Sequence, residues 1–179
     1  MLPKDLNLAV WGPRIDSLPQ TTTIGSPHIS DFESTRVDYP EPVMSQAYTE
    51  EWLVGPQATN FYTRTYTPTV PTTAAVVFVH GFAEHIGRYT HFHPLLAARG
   101  IAVFTYDSRG FGLTALDTTG KKSKSSAYGK TSWKDQMGDV AWAIEHAKKT
   151  FNGVPLFLMG HSMVRTIKDC SASESSYLL

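Results

Sequence analysis

The chain has 179 residues, enough for one domain of ordinary size, and with 41% hydrophobic and 18% charged residues it can bury a core, which excludes an intrinsically disordered chain. Its 16 basic residues balance 16 acidic ones, so no net field draws it to nucleic acid. Cys170 is the single cysteine, which excludes an intrachain disulfide framework and a thiolate metal cluster and fits a reducing, cytoplasmic setting.

In chain order, residues 1–43 are rich in Pro, Thr and Ser and lack helical or strand periodicity, so a disordered or non-native leader is expected there. Order is expected from Met44, read as the natural start. "AYTEEWLV" and "TNFYTRTY" alternate in polarity around Gly55-Pro56 and predict a β-hairpin with one wet face. "AAVVFVHG" is continuously apolar and β-branched, the signature of a strand covered on both faces; Ile101–Asp107 and Val154–Gly160 read the same way. "THFHPLLAARG" predicts a short helix stopped by Gly100. From Ser132 a longer helix is predicted, with Trp133, Met137, Val140, Ala141 and Ile144 on its apolar face. Ser132 and Asp135 form a shortened capping box, Lys148 and Lys149 suit the negative end, and Asn152-Gly153 closes the helix. The stretch "GKKSKSSAYGK" reads as a solvated loop. The fold class is therefore α/β, a β-hairpin followed by parallel β-α-β-α-β.

Ligands of open parallel sheets bind at the carboxyl ends of the strands. Three glycine-bearing loops leave those ends: "HGFAEHIGRY", "DSRGFGLT" and "GHSM". Together they suit acyl transfer. A nucleophilic serine must stand proud of the sheet on a strained turn, which places Ser162. Two backbone N–H groups must face the developing oxyanion, and Phe82 and Met163 are positioned in sequence to supply them. Histidines at metal-ligand spacing and a dinucleotide fingerprint are both missing, so no metal or organic cofactor is expected.

In order and spacing, "FVHGFAEHIGRY", "VFTYDSRGFGLT" and "FLMGHSM" resemble α/β-hydrolases of the monoacylglycerol lipase and lysophospholipase type, grouped with serine aminopeptidase-like hydrolases; the flanking "EEWLVGPQATNFYTRTY" resembles fungal members. The resemblance spans 44–163 and implies the N-terminal part of an α/β-hydrolase domain with Ser162 as nucleophile and the Phe82 and Met163 N–H groups as oxyanion hole. It further implies that His80 and Gly81 shape the hole, that Glu84, His85 and Arg88 brace its loop, that Asp107, Arg109 and Gly110 are structural, and that Gly160 and His161 support the elbow. The implied substrate is a small acyl ester, a monoacylglycerol or lysophospholipid, with no nucleic acid partner and with peripheral contact to membranes or lipid droplets. A serine peptidase or general carboxylesterase of the same fold is the alternative chemistry. Epoxide and haloalkane hydrolases are disfavoured, since they carry aspartate where Ser162 stands.

Past Met163 the pattern changes. The family has a pair of glycines there, whereas Val164 opens "VRTIKDCSASESSYLL", an aberrant or divergent tail over 164–179. A β-branched residue at that small-residue position is expected to crowd the turn. The triad of this fold runs Ser, then Asp or Glu, then His along the chain. Asp169 and Glu174 follow Ser162, but no histidine does, so the triad acid and base are read as absent and the chain as an inactive hydrolase truncated after the elbow. A non-catalytic fragment binding acyl lipid or a partner is the alternative. The sheet is then incomplete, and Val154–Gly160 is expected to be an unpaired, aggregation-prone edge.

Overall fold

The computed structural model describes residues 48–162, together with the backbone of 7–10. One six-stranded sheet organises them: β1 (Asn7–Val10), β2 (Thr49–Val54), β3 (Asn60–Tyr66), β4 (Ala74–Val79), β5 (Ile101–Tyr106) and β6 (Leu156–Gly160), in the order β1-β6-β4-β5-β3-β2. The central strands β6, β4 and β5 are parallel, and the β2–β3 hairpin is antiparallel and joins through β3 to β5. Three helices accompany the sheet: α1 (His93–Ala97), α2 (Gly112–Leu116) and α3 (Trp133–Thr150).

Alternation along the strands divides the core between the two faces. Val77, Val79, Phe104, Tyr106 and Leu158 meet Val140, Ala143, Ile144 and Ala147 of α3, while Val76, Phe78 and Val103 meet Ala97 of α1. Both faces of the parallel strands are thus covered, which is why their sequences are apolar almost throughout; the buried Thr105 of β5 satisfies its hydroxyl on Phe78 O at 2.9 Å. Burial of each such Val, Leu, Ile or Phe stabilises by about 1.5–3 kcal/mol. The predicted hairpin, parallel strands and two helices are present, in the incomplete α/β-hydrolase arrangement expected.

Several features differ from the sequence reading. Residues 7–10, inside the stretch read as a leader without strand, form β1 and pair parallel with β6, Leu8 opposite Leu158 and Val10 opposite Gly160. The edge of β6 expected to be unpaired therefore carries a strand; Leu8, Ala9 and Val10 are consecutive apolar residues with no period-2 alternation to reveal it.

A wet face is present on β2 but not on β3, where Phe61, Tyr62 and Thr63 are all buried. An internal strand, β3 is flanked by β2 and β5, and α3 and the segment after β5 cover its faces; Thr114 Oγ1 accepts the Tyr62 N–H at 3.0 Å.

The buried stripe of α3 is Gln136, Asp139, Val140, Ala143, Ile144 and Ala147, and Trp133 is exposed. The helix is rotated relative to the purely apolar expectation because Asp139 turns inward to an arginine partner described below. The Ser132 cap forms, accepting the Asp135 N–H at 3.2 Å, but the Ser132 hydroxyl donates to the Asp135 carboxylate at 2.6 Å in place of the reciprocal backbone bond.

Finally, α2 stands where the sequence reading has only a loop after β5, and on α3 His146 is half-buried with its ring 4.6 Å from that of Phe104. The five-residue α2 is held by tertiary contacts: Thr114 Oγ1 donates to Asp107 O at 2.7 Å, and the Leu113 N–H donates to the Asp107 carboxylate at 2.6 Å.

Candidate active site

The carboxyl ends of β4, β5 and β6 release three loops, starting at His80, Asp107 and His161. Their mutual placement is set by buried polar groups. His80 is fully buried; its Nε2 accepts the Ser108 N–H at 2.8 Å, which leaves Nδ1 as the protonated nitrogen, 2.7 Å from Gly81 O. Burial holds its imidazole below the ordinary histidine range, the carboxylates of Asp107 and Glu84 pulling weakly the other way. His80 therefore ties the first loop to the second as a neutral ring.

Asp107 does the same from the other side. Its Oδ1 accepts the Ile86 N–H at 2.7 Å and its Oδ2 the Leu113 N–H at 2.6 Å. Burial pushes this carboxyl up, and the two N–H donors oppose that shift. Gly112 has φ +50°, and a Cβ there would lie 2.1 Å from Asp107 Oδ2. Only glycine lets the backbone close over the carboxylate.

Arg109 grips Asp139 of α3 with two parallel bonds, Nε at 3.0 Å and Nη2 at 2.7 Å. Its Nη1 also reaches Gln57 and Thr59, and Nη2 the Pro56 carbonyl. Arg109 thus fastens the second loop to the long helix and the hairpin turn. Gly110, at φ +85°, passes within 3.1 Å of the Lys130 backbone measured from an added Cβ. Asp107, Arg109 and Gly110 all act on loop placement.

In the first loop, the Glu84 carboxylate receives the Gly81 N–H at 3.1 Å and the Tyr89 hydroxyl at 2.5 Å on Oε2, and Arg88 Nη1 at 2.7 Å on Oε1. Burial works against its ionisation, but Tyr89, the Gly81 N–H, Arg88 and His161 outweigh it and hold the carboxyl below the ordinary glutamate range. His85 is exposed and contributes its carbonyl to the Arg88 N–H at 3.2 Å. Phe82 is 66% exposed, its ring packs edge-on against Phe111 at 5.1 Å, and among the described residues its N–H makes no protein hydrogen bond.

The third loop leaves β6 through buried Gly160. The His161 N–H donates to Val79 O at 3.1 Å, continuing the ladder for one residue, and Ser162 then turns into the left-handed region at φ +57°. An exposed, non-glycine residue in that conformation stores strain of about 1–3 kcal/mol.

A family profile described as serine aminopeptidase, S33 (Hydrolase_4) matches residues 70–163. The chain belongs to this family of hydrolases. A monoglyceride lipase homolog of Monkeypox virus is 36% identical over 105 residues, which cover 58% of this chain and 35% of that protein. The monoglyceride lipase of Homo sapiens is 28% identical over 122 residues, 68% of this chain and 37% of that one. A crystal structure of a soluble variant of monoglyceride lipase from Saccharomyces cerevisiae, in complex with a substrate analog, matches with a TM-score of 0.52 at 25% identity over 70% of this chain and 37% of that one. The chain spans about a third of the length of these relatives.

A serine acting as nucleophile would need a neighbouring group to take its proton. Among the described residues, Ser162 has no hydrogen bond to an imidazole. His80 is locked between two loops. His93 is fully buried among Tyr66, Phe78, Tyr89 and Phe92, and burial brings its ring down to about 3. His146 lies over Phe104, and the His161 ring turns to Glu84, with Nδ1 3.4 Å from Oε2. His85 and His91 are exposed. Met163, the second expected donor, lies outside the described residues, as do Met44, the tail 164–179, Asp169 and Glu174.

Sequence reasoning missed Tyr89, Ile86, Asp139 and Thr114 as partners of the site. Neither Tyr89 nor Asp139 carried a usable signal: Tyr89 stands five residues after Glu84, off the three- and four-residue spacing of helical neighbours, and Asp139 looks like any solvent-facing acid of an amphipathic helix.

Proposed function

We propose that this chain carries the nucleophile and oxyanion loop of a serine ester hydrolase acting on small acyl esters of the monoacylglycerol or lysophospholipid type. Ser162 Oγ is the attacking atom. The Phe82 N–H, with that of Met163, receives the charge that develops on the acyl oxygen, and Glu84, Arg88, His80 and Asp107 hold the loops. The single observation that carries the reading is the left-handed Ser162 just beyond the end of β6, beside a first loop in which the N–H of the exposed Phe82 has no internal partner among the described residues. Relatives described as monoglyceride lipases support the substrate class. A cytoplasmic location with peripheral contact to lipid surfaces belongs to the same reading.

We propose in addition that the 179 residues do not turn substrate over unaided. A serine hydroxyl needs a base to become an efficient nucleophile. The histidines of the described residues are all committed elsewhere or solvated, and none follows Ser162 in the sequence. Loss of triad members leaves a residual acceleration of roughly 10³–10⁴ over water in the best-studied hydrolase. Labelling with a fluorophosphonate probe tests both statements. Slow labelling at Ser162, abolished in Ser162→Ala, with no multiple turnover of a short-chain monoacylglycerol, is expected. Labelling at another serine would overturn the assignment of the nucleophile, and sustained turnover would overturn the second proposal while leaving the first intact.

A further inference from the structure

We infer that Glu84 is a positioning residue that fastens together the two loops flanking the oxyanion site, holding the Gly81 N–H on one side and the His161 ring on the other. The inference rests on reading Ser162 as nucleophile and the Phe82 N–H as an oxyanion donor.

The geometry is specific. Three groups converge on one atom, Glu84 Oε2: the Gly81 N–H donates to it at 3.1 Å and the Tyr89 hydroxyl at 2.5 Å, and His161 Nδ1 lies 3.4 Å away. Gly81 is the chain neighbour of Phe82, and His161 is the chain neighbour of Ser162. One carboxylate oxygen therefore spans the gap between the proposed oxyanion donor and the proposed nucleophile. The His161 side chain is 53% exposed and free to extend into solvent, yet it folds back across Gly81. A Cβ on Gly81 would lie 2.9 Å from His161 Nδ1 and 3.1 Å from Glu84 Oε2, so glycine is what allows the ring to reach the carboxylate.

The remaining contacts keep Glu84 in place. Arg88 Nη1 holds the second carboxylate oxygen at 2.7 Å, and Tyr89 belongs to the 3-10 turn Ile86–Tyr89, whose first N–H is bound by Asp107. Bracing of the first loop alone would need only the Gly81, Arg88 and Tyr89 contacts. The turn of His161 toward the same oxygen is the additional feature, and it makes the separation of the two loops depend on one charged group. Charge-assisted bonds of this kind are shorter and stronger than neutral ones, so neutralising the carboxylate without changing its shape is the appropriate perturbation.

Amide exchange and ¹⁵N NMR on the full chain test the coupling without reference to activity. Glu84→Gln is expected to speed exchange at Gly81 about tenfold or more and to move the resonances of residues 160–162 on the opposite loop. His161→Asn is expected to move the Gly81 and Phe82 resonances, and the double variant to change them by less than the sum of the singles. Tyr89→Phe, which removes the hydroxyl donor, is expected to affect Gly81 while Val77 and Phe104 in the core keep their protection. A Glu84→Gln effect confined to the first loop, or strict additivity with His161→Asn, would sink the inference. Should Glu84→Gln fail to fold, His161→Asn decides alone: unmoved Gly81 and Phe82 signals overturn it. Ser162 labelling is not read in this experiment, so its outcome and that of the functional proposal are separable.

Discussion

Nε2 of His80 accepts the backbone N–H of Ser108 at 2.8 Å, joining the loops after β4 and β5 through a ring with no exposed surface. This bond removes His80 from the list of bases. His80→Phe keeps the ring shape and strands the Ser108 N–H and the Gly81 carbonyl in a buried place. A loss of about 2–4 kcal/mol is expected, since each unmet buried group costs about 1–3 kcal/mol. Urea unfolding measures it, and a loss under about 0.5 kcal/mol would contradict the clamp.

Gly112 and Asp107 are a similar case of close approach. A Cβ at position 112 would stand 2.1 Å from Asp107 Oδ2, and the φ of +50° independently opposes any side chain there. Gly112→Ala is expected to cost about 3 kcal/mol or more, through overpacking and a strained φ together. A melting temperature equal to that of the parent would show that the backbone there relaxes freely.

Strain at the elbow is separately testable. Ser162 sits at φ +57° and is exposed, so its side chain contributes little packing to offset the cost. Ser162→Gly is expected to raise stability by about 1 kcal/mol, and Ser162→Ala to leave it within about 0.5 kcal/mol, because only glycine relieves a left-handed φ. Equal stability of the two variants in denaturant titrations would argue against stored strain.

Acid stability follows from His93 and Glu84, whose signs differ in origin and agree in direction. His93 is lowered by burial, then by Arg64 and His91, from 6.5 to about 3, so below pH 6.5 the unfolded chain binds a proton that the folded chain refuses. Stability is therefore lost as pH falls from 6.5 toward 3, by about 2 kcal/mol at pH 5 for this group. His80 and His146, also lowered by burial, add to the same limb. Glu84 is depressed below 4.5, so its contribution is present above that value and is lost as pH falls through the folded value. His93→Phe is expected to flatten the limb between pH 6.5 and 4.5, whereas Glu84→Gln leaves that limb and alters only the part below it. Chemical denaturation at half-unit pH steps separates the two, and an unchanged upper limb in His93→Phe would refute the assignment.

β1 predicts a role for the first residues. Its parallel register with β6 covers an edge of apolar sequence. Deletion of residues 1–12 is expected to expose that edge and drive concentration-dependent association, read by light scattering. A monomeric, equally soluble deletion variant would show that the strand does not protect β6.

Much of the fold was legible in the residues. β4, β5 and β6 read as doubly covered strands because a continuous apolar, β-branched run of that length suits a strand packed on both faces. Ser132, Gly100 and Asn152-Gly153 marked helix ends through local chemistry that needs no partner. The three loops could be placed at one end of the sheet from chain direction alone. What the residues could not show is any relationship carried by long-range pairing. β1 has no period-2 alternation, α2 is held by Asp107 and Thr114, and Asp139 is buried only because Arg109 stands opposite it.

The amino-acid sequence by itself determined the strand and helix identities, the order of the three loops and the position of a serine at the elbow, since periodicity and turn chemistry are local. The tertiary structure alone decided which histidines are spoken for. An imidazole is a base or a brace according to what lies within about 3 Å of its nitrogens, and those neighbours come from distant parts of the chain. It also decided that Glu84 faces both loops, because Gly81 leaves room for His161 to cross.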